Sequence, residues 1–159
     1  MLADQIGKSP SGAGPWGEFL KAFVAARPAD KVAWSLLGLW HQKKGDLGEA
    51  AGCYEKAVAI DPQFVPALNN LGGIYFEKGD LDRAARACER AIAIDPNYAK
   101  AHVNLGHIYQ KKGDRLKALQ HWRSVLAIES ENTEARDLIA ELLSRRPITA
   151  PPSPPGGGR

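Results

Sequence analysis

The stretch LNNLGGIYFEKGDLDRAARACERAIAIDP, Leu68 to Pro96, decides the fold because the chain carries it more than once. A step of 34 residues in either direction lands on its counterparts. Pro28, Pro62 and Pro96 are so spaced, as are Leu37, Leu71 and Leu105, and then Gly38, Gly72 and Gly106. The pairs Gly45-Asp46, Gly79-Asp80 and Gly113-Asp114 keep the register, as do Ala50, Ala84 and Ala118, and Ile60, Ile94 and Ile128. So many identities at one period are a structural repeat and not an accident of composition.

Each unit reads as two helices. In the third, Ala101, Leu105, Ile108 and Tyr109 recur at helical spacing and form an apolar stripe. The run KKGD ends that helix: Gly113 suits the left-handed position that closes a helix, and Lys111 and Lys112 suit the negative end of its dipole. Asp114 is a good N-cap for the helix that follows. In the first unit Asp46, with Glu49 three residues on, predicts a reciprocal capping box. The recurring glycines and alanines fall where the two helices of a hairpin cross, so close approach offsets the glycine cost of about 1 kcal/mol.

The segments WSLLGLWHQKKGDLGEAAGCYEKAVAIDP, LNNLGGIYFEKGDLDRAARACERAIAIDP and HVNLGHIYQKKGDRLKALQHWRSVLAIES resemble the tetratricopeptide repeat. The resemblance implies an all-α fold, an α–α superhelix of about eight helices in antiparallel hairpins. Its units are residues 31–64, 65–98 and 99–132. His41 stands where a tyrosine is expected, and Ser130 where a proline should close the third unit. Residues 14–27, with Trp16, Leu20, Phe23 and Val24, fall in register with the second helix of a preceding half-repeat. Residues 133–146 place Ala135, Leu138, Ile139, Leu142 and Leu143 on one face and form a capping helix. Residues 1–13 and the Pro/Gly-rich tail 147–159 are expected to be disordered. The tail contains PPSPP, which reads as a linker before it reads as a ligand for a proline-recognising domain.

The net charge of +3 is spread along the chain and forms no basic stripe, so nucleic acid is not an expected partner. No apolar run approaches the ~20 residues that span a bilayer, so membrane insertion is not expected. The first residues lack the apolar core of a secretory signal, which for a complete chain gives a cytoplasmic expectation. Cys53 and Cys88 have no metal-ligand spacing; Cys88 reads as a small hydrophobe in the core, and Cys53 as half exposed. Of the histidines, His41, His102 and His121 fall on or beside packing positions. Trp34, Trp40 and Trp122 read as core. His107 with Cys88 is the one pair to weigh as a nucleophile, yet nothing orients a third group or supplies an oxyanion site. No catalytic, metal or cofactor motif is present, so the expectation is a protein that is not an enzyme.

The resemblance also implies that the first helix of each unit lines a concave, peptide-binding groove. Its positions map to Val32, Ser35, Leu36, Leu39 and Gln42, then to Asn69, Asn70, Gly73 and Phe76. They continue through Lys100, Val103, Asn104, His107 and Gln110 to Glu134, Asp137, Leu138 and Glu141 on the capping helix. Asn70 and Asn104 are one period apart and read either as a ladder for a peptide backbone or as solvated polar residues. Apolar selectivity would come from Leu36, Leu39, Phe76 and Val103. A subfamily clamps the carboxylate of chaperone tails, and here Asn70 and Lys100 match that clamp. Ser35, Leu39 and Asn104 depart from it, which leaves too few charge-assisted donors for a carboxylate. The resulting expectation is a scaffold or adaptor with a protein or peptide partner. The competing expectation is homo-oligomeric assembly through the terminal helices, because a half-repeat leaves an apolar edge.

Overall fold

The glycines that punctuate the sequence set the hairpins. In a computed structural model, residues 15–144 are described, and the expectations for residues 1–13 and 147–159 lie outside them. Gly45 and Gly113 adopt φ of 83° and 77°, left-handed values that cost a glycine little. At the first such turn Gly45 N–H donates to the Gln42 carbonyl and Asp46 N–H to that of His41, at 2.9 and 3.0 Å. This is the Schellman closure, and it recurs at the second and third units.

Among the described residues eight α-helices result: α1 (Pro15–Ala26), α2 (Lys31–Lys44), α3 (Leu47–Ile60), α4 (Val65–Glu77), α5 (Leu81–Ile94), α6 (Ala99–Lys112), α7 (Arg115–Ile128) and α8 (Thr133–Ser144). The pairs α2/α3, α4/α5 and α6/α7 are antiparallel hairpins stacked in chain order, an α–α superhelix. α4 also touches α6, so the first helices of successive units lie side by side. Among the described residues no helix is long and apolar enough to cross a membrane.

N-capping follows the sequence in most units. The Asp30 side chain accepts from Val32 and Ala33 N–H, both at 3.0 Å, and Asp80 and Asp114 accept from Arg83 and Lys117 N–H. The capping box expected at Asp46 is corrected: its carboxylate makes no cap bond. It turns instead toward Lys44 Nζ at 3.3 Å and His41 Nδ1 at 3.5 Å, two nearby donors that outcompete the helix end and hold its pKa low.

One apolar core runs from α3 to α8, and Trp122, Tyr54, Leu68 and Ile74 are fully buried in it. A smaller cluster joins Val24, Ala33, Leu37 and Cys53 at the N-terminal end. Cys53, expected to be half exposed, is therefore buried. The reason is α1: its half-repeat covers the face that a terminal hairpin would leave open. Trp34 and Trp40 pack at the edge of that cluster, and Trp34 Nε1 donates to the Pro28 carbonyl at 2.9 Å.

Candidate functional site

The face shared by the first helices carries the candidate site, and a hydrogen-bonded track runs along it. Asn104 Nδ2 on α6 donates to Asn69 Oδ1 on α4 at 2.9 Å and lies 3.4 Å from the Asn69 carbonyl. Asn69 Nδ2 in turn reaches Asn70 Oδ1 at 3.4 Å. Asn70 lies in hydrogen-bonding reach of Tyr54, whose hydroxyl donates to Gln42 Oε1 at 3.4 Å. Gln42 Nε2 closes the series by donating to Glu77 Oε1 at 3.0 Å. Burial pushes the Tyr54 phenol up to about 12, so it remains a neutral donor. The track ties α2, α4 and α6 together across unit boundaries.

The structure distributes the sequence-derived residues unevenly along this face. Leu36 and Leu39 are exposed, at 49% and 39%, at the N-terminal end. Asn69 is buried beneath the track, whereas Asn70, Val103 and Asn104 are half-buried and Lys100 is exposed. Phe76 is half-buried with Lys111 Nζ 4.9 Å from its ring centroid. His107 reaches Glu134 on α8 at 3.5 Å, and its ring meets the Trp122 indole edge-on at 4.8 Å between centroids. Asn104, which looked free of packing duties, spends its amide on Asn69 and also contacts the Cys88 thiol. Cys88 itself is fully buried, which pushes its thiol up to about 12.

Sequence reasoning missed Glu77 and Lys111 as members of this face, and Tyr54, buried on α3, as a link in the track. A signal for two of them was present. Gln42 with Glu77 and Asn69 with Asn104 are each separated by 35 residues, and so are Phe76 and Lys111. One period plus one residue is the offset at which neighbouring first helices touch.

Models of the tetratricopeptide repeat match residues 32–64, 53–86 and 101–136, and a model described as TPR repeat matches residues 72–113. The chain belongs to the tetratricopeptide-repeat family. No protein of curated function matches it. Among solved structures, the repeats are similar to MamA at 25% identity, with a TM-score of 0.75 over 79% of this chain and 74% of that one. They are similar also to the first TPR of Spaghetti (RPAP3) bound to the HSP90 peptide SRMEEVD. There the identity is 25% and the TM-score 0.69, over 71% of this chain and 92% of that one. The Arabidopsis OM64 TPR domain shares the fold, at 19% identity and a TM-score of 0.70, over 73% of this chain and 96% of that domain.

Proposed function

We propose that this tetratricopeptide-repeat protein is a non-catalytic scaffold that binds an extended peptide or a partner helix along the face of its first helices. The observation that carries the reading is the pairing of Leu36 and Leu39, large and exposed, with the polar track that begins beside them at Gln42. Apolar side chains of a ligand would be covered at the first, and its backbone would meet amides along the second. The peptide-bound Spaghetti structure supports protein or peptide ligands for this fold.

That peptide is acidic at its C-terminal end, and such a ligand needs charge-assisted donors. By the family resemblance, Asn70 and Lys100 match positions that would serve it. Leu39 is apolar, however, and Asn104 is already engaged by Asn69. We therefore infer a ligand whose affinity comes from apolar side chains more than from a terminal carboxylate. The state of Cys88 supports the non-catalytic reading: a nucleophilic cysteine needs a depressed thiol pKa, and this one is raised.

The test is affinity capture of partners by the wild-type chain and by a Leu36→Glu/Leu39→Glu double variant, with folding checked by circular dichroism. Recovery of the main partner should fall at least tenfold in the variant. Equal recovery would remove this face from the binding site. Asn104→Ala is a poor probe, because it also cuts a bond between units.

A further inference from the structure

The two ends of the superhelix are unlike halves of one hairpin. By the 34-residue period, α1 stands as a second helix and α8 as a first helix, and among the described residues neither is paired with the other half of its hairpin. On α1 and the adjoining α2 the uncovered face is apolar: Trp16 is 49% exposed, Phe19 54% and Val32 49%. Phe19, Phe23, Val32 and Leu36 line a cavity of about 220 Å³ between the two helices.

On α8 the positions that would meet a second helix are Ile139, Ala140 and Leu143, of which Ala140 and Leu143 are exposed. Ala140 occupies the place that Gly38, Gly72 and Gly106 hold in the complete hairpins. A small, exposed residue again stands at the position from which Gly38 and Gly106 face the rings of Tyr54 and Trp122.

Charge does not oppose the two ends: residues 133–146 carry Glu134, Asp137 and Glu141 against Arg136, Arg145 and Arg146, a formal zero, so the complementarity lies in the apolar faces and the hairpin register.

We propose that copies of this chain assemble head to tail, α8 of one pairing with α1 and α2 of the next, so that each junction completes a repeat. A contact between two different surfaces does not close on itself, so growth is open-ended and not limited to a dimer. The junction shares Leu36 with the proposed ligand-binding face, whereas Trp16, Phe19 and Leu143, which the test varies, are not among the residues assigned to that face.

Light scattering on the full chain over a concentration series tests it. The mass should rise with concentration past two chains. Trp16→Asp/Phe19→Asp blocks one end and Leu143→Glu the other, so each variant alone should remain a single chain. Mixed in equal amounts, the two should form a pair through their intact ends and stop there. Circular dichroism verifies that each variant is folded, and Trp16→Gln and Leu143→Gln replace any that is not. A wild-type mass fixed at one chain or stopping at two overturns the proposal, as does a mixture that stays unpaired.

Discussion

A β-carbon placed on Gly106 would lie 2.5 Å from the Trp122 ring, closer than real β-carbons come to any neighbour. Trp122 is fully buried, so the ring has no free space into which to retreat. Gly106→Ala should therefore lower stability by about 1–3 kcal/mol through overpacking, although alanine is the better helix former. Gly52 on α3 is the opposite case, with nothing within 4 Å of the added carbon. Gly52→Ala should raise stability by about 0.5–1 kcal/mol from helix propensity. Urea denaturation of both variants measures the pair; a neutral Gly106→Ala would show that the indole is not fixed.

His121 is the other residue with a measurable signature. Its Nδ1 lies 3.2 Å from Nδ1 of His102, whose Nε2–H donates to the Pro96 carbonyl at 3.0 Å. That bond leaves His102 Nδ1 as an acceptor and assigns the shared proton to His121 Nδ1. The ring also stacks on Tyr109 at 4°. Burial, then the neighbouring His102 and Lys117, lower the His121 pKa from 6.5 to about 4, against an opposing pull from Glu89. The unfolded chain takes this proton first, so the stability contributed by the neutral ring is full above pH 6.5. It is lost as pH falls toward 4. Melting temperature should drop between pH 7 and 4.5, and His121→Asn should flatten that drop. The carboxylates of Asp46, Asp61, Asp80 and Asp82 are held below their ordinary 3.8 and act only at lower pH. An unchanged slope in the variant would assign the loss elsewhere.

At the scale of elements, equivalent positions in the repeat do unequal work. Asp114 caps α7 through Lys117 N–H at 3.1 Å, whereas Asp46, two units earlier in the same register, bonds side chains instead. Asp114→Ala should cost about 1 kcal/mol of stability, a typical cap loss. Asp46→Ala should cost clearly less, as an exposed ion pair contributes little. Thermal melts of the two variants side by side decide this, and equal losses would contradict it. The joints between units differ as well. The Tyr75 and Tyr109 hydroxyls each donate to a glutamate of the preceding second helix, Glu55 and Glu89, at 2.6 Å. At the first joint His41 replaces the tyrosine and Lys21 stands in the glutamate's place. Both halves of the tie change together, and the contact there is made by Lys21 over the Trp40 ring.

At the scale of the whole molecule, the stack is a set of translated copies with unlike ends, and that governs what could be read in advance. The period, the hairpins, the glycine turns and the burial of Cys88 and Trp122 were legible, because each follows from local pattern repeated at a fixed step. Asn104 was not: its residue type allowed a ligand, solvent or a neighbouring side chain, and only the placement of α4 beside α6 chose Asn69. The burial of Cys53 likewise waited on α1 lying over it. Sequence by itself determined the repeat and its helices, since backbone propensity and apolar spacing act within a few residues. Tertiary structure alone decided which polar groups are already satisfied, since the offset between stacked helices selects each amide's partner and no single unit contains that offset.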